Sequence, residues 1–139
     1  MMNIWSGYCG RLNSYTYMKK VLVVDDDIDI LTVVHLVLES HGLEVQSLAK
    51  WQEIFSRIDT FAPNLILLDV SLGNQDGRNL CKQIKSNPAT KDIAVILFSA
   101  NHDVMKTIPE CLGNGFIAKP FDINDLIDNI DTQLAIINS

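Results

Sequence analysis

Four short apolar runs in this chain each stop on a residue that carries chemistry, and that recurrence limits what the chain can fold into. Val21-Leu22-Val23-Val24 runs into Asp25-Asp26-Asp27, and Leu65-Ile66-Leu67-Leu68 stops on Asp69. Ile93 to Phe98 ends in Ser99, and Phe116-Ile117-Ala118 ends in Lys119. Each run is of strand length, with the aliphatic and β-branched content of a strand buried on both faces. A fifth run, Leu43 to Leu48, alternates in part. A buried strand that ends in adjacent carboxylates puts like charges side by side at the lip of a sheet, which is costly unless positive charge sits there. Acid pair, acid, hydroxyl and ammonium together suit the binding of a hard cation and the handling of a phosphoryl group.

Helix-period segments lie between the runs. Leu31, Val34 and Leu38 form one side of residues 28 to 41, with Gly42 as a stop. Trp51, Ile54, Phe55 and Ile58 stripe a second segment that Pro63 ends, and Leu80, Cys81 and Ile84 mark a third over about 77 to 86. The last is the clearest: Asp122 suits an N-cap, Asp125 follows three residues on, and Ile123, Leu126, Ile127, Ile130, Leu134 and Ile137 form one stripe. Residues 102 to 113 also carry a stripe (Val104, Ile108, Cys111, Leu112), but Pro109 inside it removes an N–H and clashes with the preceding turn. That predicts a helix that is kinked or starts late, near Ile108, and the most mobile element of the domain. Strands alternating with helices imply a parallel sheet covered on both faces. Ligands of such sheets sit outside the carboxyl ends of the strands, at the topological switch point. Asp25, Asp26, Asp69, Ser99 and Lys119 all fall at that edge.

With 139 residues the chain reads as one domain, and 47% hydrophobic with 20% charged residues excludes dominant disorder. No apolar run approaches the ~18 residues of a membrane span. A formal charge of −6 argues against non-specific nucleic-acid binding. Cys9, Cys81 and Cys111 share no metal-type spacing and read as reduced, cytoplasmic thiols. Residues 1 to 17 lack the pattern of a signal peptide. Because Met18-Lys19-Lys20 would make a natural start, they are read as a loosely ordered extension or a mis-assigned start, with the domain over 18 to 139.

These stretches, with Leu67-Leu68-Asp69 followed by Asp76-Gly77 and with Phe116-Ile117-Ala118-Lys119-Pro120-Phe121, resemble the receiver domain of two-component response regulators over about residues 18 to 138. The resemblance implies a three-layer α/β/α fold with a five-stranded parallel sheet in the flavodoxin-like order 2-1-3-4-5. It further implies that Asp69 is the phosphoacceptor, attacking a phosphohistidine. Asp25 and Asp26, with Asp69 and the backbone carbonyl of Ser71, would hold Mg²⁺, while Asp27 reads as a helix cap. Lys119 would pair with Asp69 and then with the phosphoryl oxygen, across a cis Lys119-Pro120 bond. Ser99 and Phe116 match the family's switch pair of hydroxyl and aromatic. Such a protein is a signalling switch, rather than an enzyme with an external product, that catalyses its own phosphorylation and dephosphorylation.

The pattern departs from the family at Gly73, where proline is usual, and glycine is expected to loosen that loop. Gly113-Asn114-Gly115-Phe116-Ile117-Ala118 fits a loose dinucleotide pattern, but it follows a helix and enters a strand, the wrong context. Asp25-Asp26-Asp27 also fits the nucleophile strand of haloacid-dehalogenase-like phosphatases, without the larger core those need. The remaining alternative is a receiver-like module that binds proteins without phosphorylation. His35, His41 and His102 are isolated and read as surface or helix-end residues. The chain is expected to be a stand-alone, single-domain receiver, and the expected partners are a sensor histidine kinase or histidine phosphotransfer protein and a downstream protein. No direct DNA binding and no membrane contact are expected, and the expected state is a monomer or weak dimer. The expected output face joins the Pro109 segment, the strand at Phe116 and the final helix, which carries Asp122, Asp125, Asp128 and Asp131 with no Lys or Arg.

Overall fold

A computed structural model of the chain describes residues 18–101, 103, 106 and 112–137. The extension before Met18 and most of the Pro109 segment, including its expected kink or late start, lie outside the described residues.

The strands are β1 (Lys20–Val24), β2 (Glu44–Leu48), β3 (Leu65–Asp69), β4 (Ala94–Ser99) and β5 (Gly115–Ala118). All are parallel and lie in the order β2-β1-β3-β4-β5, as expected. The described helices are α1 (Ile28–Ser40), α2 (Ile54–Phe61), α3 (Gly77–Ser86) and α4 (Ile123–Ile137), with a 3₁₀ turn at Trp51–Glu53 leading into α2.

The period-2 alternation of the strands sorts their side chains into two cores. Val21, Val23, Leu65, Leu67, Ile96, Phe98 and Ile117 pack with Leu31, Val34 and Leu38 of α1 and Leu126, Ile130 and Leu134 of α4. Leu22, Val24, Ile66, Leu68, Val95 and Leu97 pack on the other face with Ile54, Ile58 and Phe61 of α2 and Leu80, Cys81 and Ile84 of α3. Strands β1, β3 and β4 are buried at every apolar position, so they read as continuous apolar runs rather than as alternating ones.

Local chemistry fixes the helix ends. Asp27 caps α1, its carboxylate accepting from the N–H groups of Asp29 and Ile30 at 2.9 and 3.4 Å. Asp122 does the same for α4, accepting from Asn124 and Asp125 at 2.7 and 3.4 Å. Helix α1 stops before Gly42, which takes φ +90°, and α2 stops at Ala62, with φ 51°, before Pro63. His35 and His41 have the intramolecular partners expected of surface histidines. His35 Nδ1 lies 2.8 Å from Ser47 Oγ, and His41 Nε2 lies 3.0 Å from Asp131 Oδ2.

The start of α3 is pressed against the end of β3. Gly77 donates its N–H to Val70 O at 2.8 Å, and a Cβ at this position would overlap the backbone carbonyl of Asp69. Gly77→Ala is therefore expected to push backbone against backbone. It should lower unfolding free energy by about 1–3 kcal/mol in denaturant titrations, whereas alanine elsewhere on the exposed side of α3 should be close to neutral.

Candidate functional site

Two strand ends and two strand-following residues bring the predicted set together. Asp25 follows β1, Asp69 ends β3, Ser99 ends β4 and Lys119 follows β5. Asp25 is fully buried, and Asp69 and Ser99 are nearly so at 4% and 6% exposure. Asp26 is exposed, yet one carboxylate oxygen from each of Asp25, Asp26 and Asp69 lies within 4.8 Å of the others.

Lys119 reaches into this cluster across the sheet. Its Nζ lies 2.9 Å from Asp25 Oδ2 and 3.4 Å from Asp69 Oδ1, so it bridges both carboxylates and sits closer to Asp25. The sequence reading pairs it with Asp69 first; both contacts are made. Two backbone donors assist: Asp27 N–H gives to Asp25 Oδ1 at 2.9 Å, and Ser71 N–H gives to Asp69 Oδ1 at 3.3 Å. The Lys119-Pro120 bond is cis, as expected.

One ammonium does not balance this cluster. Burial, and then the Asp25 carboxylate beside it, raise the Asp69 pKa from 3.8 to about 7, despite the lowering effects of Lys119 and the Ser71 N–H. Excess negative charge on an all-oxygen donor set is what a hard divalent cation would neutralise. Asp25, Asp26 and Asp69 therefore fit Mg²⁺.

Ser99 belongs to the opposite side of the sheet. Its hydroxyl accepts from Asn101 N–H at 3.0 Å and faces a cavity of about 430 Å³ that Ser71, Asn74, Arg78 and Asn101 also line. Phe116 is half-buried against the core shared with α2 and α3. Gly73 has φ +72°, where proline cannot follow. The loop it belongs to is nevertheless tied down, by Leu72 N–H to Gln75 O at 3.1 Å and by Trp51 Nε1–H to Asn74 Oδ1 at 3.2 Å. The expected loosening is thus offset by these contacts.

Sequence reasoning passed over Arg78 and Phe98. Arg78 forks onto Asp76 at 2.6 to 3.1 Å and holds that carboxyl below its usual range. Phe98 lies under Lys119. No signal in the sequence set Phe98 apart, because its pairing with Asp69 depends on sheet register.

The sequence model of the response regulator receiver domain matches residues 21–131, and the chain belongs to that family. Its members work in two-component signalling. The alkaline phosphatase synthesis transcriptional regulatory protein PhoP of Bacillus subtilis is 34% identical over 104 residues, 74% of this chain and 43% of PhoP. The nisin biosynthesis regulatory protein NisR of Lactococcus lactis is 30% identical over 118 residues, 83% of this chain and 50% of NisR. The chain thus spans about half the length of the curated relatives it matches. Among solved structures, a CheY-like response regulator receiver domain protein from Methanospirillum hungatei superimposes with a TM-score of 0.80 at 26% identity, covering 88% of this chain and 98% of that one. Among the described residues no helix is long and apolar enough to cross a membrane.

The raised Asp69 pKa has a signed consequence for the metal-free protein. Below pH 3.8 the carboxyl is neutral in both the folded and unfolded chains, and its contribution to stability is at its most favourable. As pH rises from there through about 7, the unfolded chain gives up the proton that the fold retains, and stability is lost. Asp69→Asn should therefore raise the melting temperature in chelator at pH 8, with the gain disappearing near pH 4. A gain of equal size at both pH values would contradict this.

Proposed function

We propose that the domain accepts a phosphoryl group on Asp69 from the phosphohistidine of a sensor histidine kinase or histidine phosphotransfer protein, and passes the signal on by protein contact. The observation that supports this most directly is the Lys119 ammonium set between two buried carboxylates at adjacent strand ends. A solvated surface lysine has no reason to occupy that place.

In this reading a carboxylate oxygen of Asp69 attacks phosphorus. An O–P bond forms as the P–N bond to the donor imidazole breaks, and the imidazole is left to take a proton. Asp25, Asp26, Asp69 and the Ser71 carbonyl would hold Mg²⁺, which when bound supplies positive charge to the transferring oxygens. Lys119 gives its ammonium to a phosphoryl oxygen, and the Ser99 hydroxyl turns from Asn101 to another. Phe116 follows the space that Ser99 vacates, which changes the surface formed by β5 and α4. Hydrolysis of the acyl phosphate returns the domain to rest. Ser71 and Asn101 line the cavity that Ser99 also lines, and in this reading they govern how water reaches the acyl phosphate.

Incubation with acetyl phosphate and Mg²⁺ should add one phosphoryl group, seen by intact mass, and Asp69→Asn should abolish it. Lys119→Met should fold and slow the reaction by on the order of 10²-fold, the usual effect of removing one donor to developing charge. A mass gain that survives Asp69→Asn would defeat the proposal.

The output is a protein surface. Helix α4 carries Asp125, Asp128 and Asp131 behind its Asp122 cap and has no basic residue, so a two-fold pairing of this helix with itself would set like charges opposite each other. Sedimentation velocity should find a monomer before and after phosphorylation, and a stable dimer on activation would contradict this surface assignment.

A further inference from the structure

We propose that Phe98 is a positioning residue for Lys119, holding its ammonium in the site through a cation–π contact that does not depend on the carboxylates' charge. The inference rests on the phosphotransfer reading and names a further residue for it. Lys119 Nζ lies 4.4 Å from the centroid of the Phe98 ring, in addition to its contacts with Asp25 and Asp69. The ring is 1% exposed and is itself fixed by Phe121, whose centroid lies 6.5 Å away at an interplanar angle of 72°.

Sheet register explains why position 98 can serve. In β4, Phe98 is paired with Asp69 on one side and with Ile117 of β5 on the other. Lys119 lies two residues beyond Ile117, on the same face, and its backbone N–H is anchored to Ser99 O at 2.9 Å. The ring therefore lies between the acceptor carboxylate and the backbone that delivers the lysine. A leucine there would fill the core but would give the ammonium no preferred seat, because only an aromatic face presents negative potential to a cation.

The need for such a seat follows from the reaction. Lys119 is otherwise held by two carboxylates, and phosphorylation converts one of them into an acyl phosphate while metal binding engages the other. The carboxylate hold thus changes at each stage, and the lysine stem is flexible. The Phe98 ring keeps its attraction throughout and shortens the search of the ammonium for the phosphoryl oxygen.

The test replaces Phe98 in the full chain with mono-, di- and trifluorophenylalanine, which keep its shape while draining negative potential from the ring, and with Phe98→Leu. Phosphorylation by acetyl phosphate at saturating Mg²⁺ should slow progressively with fluorine number, reaching roughly threefold to thirtyfold at the end of the series. Melting temperatures should stay nearly level across the fluorinated set. In the NMR spectrum of the unmodified protein the Lys119 Cε protons should be shifted upfield by the ring, and Phe98→Leu should remove that shift. A rate independent of fluorination overturns the inference, as does an unshifted Lys119 side chain. If the unmodified chain takes no phosphoryl group while the shift is present and graded, the phosphotransfer reading fails and the ring–ammonium contact stands.

Discussion

Two buried carboxylates of like charge, Asp25 and Asp69, are the constraint on which this structure turns. They belong to adjacent strands, and burial first, then the Asp25 charge, raises the Asp69 pKa above the ordinary carboxylate range. Lys119 and the backbone N–H groups of Asp27 and Ser71 relieve part of that stress, and the rest is retained. Such an arrangement is disfavoured as a contribution to stability alone, because a pair of well-packed apolar side chains would cost less. Groups buried at such a cost gather at sites of chemistry, which supports the function proposed for this edge.

The doubly wound topology makes the cluster possible. Strand order β2-β1-β3-β4-β5 brings the ends of β1 and β3 side by side where the winding reverses, with β4 and β5 following. Parity then divides the labour. Asp25, Asp69, Phe98 and Lys119 continue the face covered by α1 and α4, while Ser99 continues the face covered by α2 and α3, beside the cavity. Asp69 lies where the two meet: its carboxylate is gripped from one face, and under the proposed function its phosphorylated form would be read by the hydroxyl on the other. A change at Asp69 can in this way reach β5 through β4 or through the side chain of Lys119.

Most of the fold was legible in the sequence because it depends on local periodicity. Val21 to Val24 and Leu65 to Leu68 could only be buried strands, Asp27 and Asp122 could be recognised as caps, and the four site residues shared the property of ending apolar runs. What could not be read depends on distances between strands. The register that sets Asp69 against Phe98 leaves no mark in either run, so Phe98 looked like any other core residue. Lys119 was assigned to the acceptor, whereas its shorter contact is with Asp25, a matter of side-chain placement rather than pattern. The 3₁₀ turn at Trp51–Glu53 was likewise absorbed into the following helix, because a single turn adds no periodicity of its own.

The loop after Asp69 shows how one physical requirement can be met by different chemistry. A proline restricts its own φ and so stiffens a loop before folding. Gly73, at φ +72°, has the opposite effect on the unfolded chain, and its conformation is closed to proline. The folded loop is nevertheless fastened at several points. Ser71 bridges to Asp76, Leu72 bonds to Gln75, Gly77 bonds to Val70, and Trp51 reaches over from the β2–α2 connection to Asn74. Rigidity around Asp69 thus comes from contacts made in the native state rather than from a restricted backbone. The consequence is that order at Asp69 is linked to residues well separated in sequence, Trp51 above all. The environment of that indole is thereby coupled to the loop that follows Asp69.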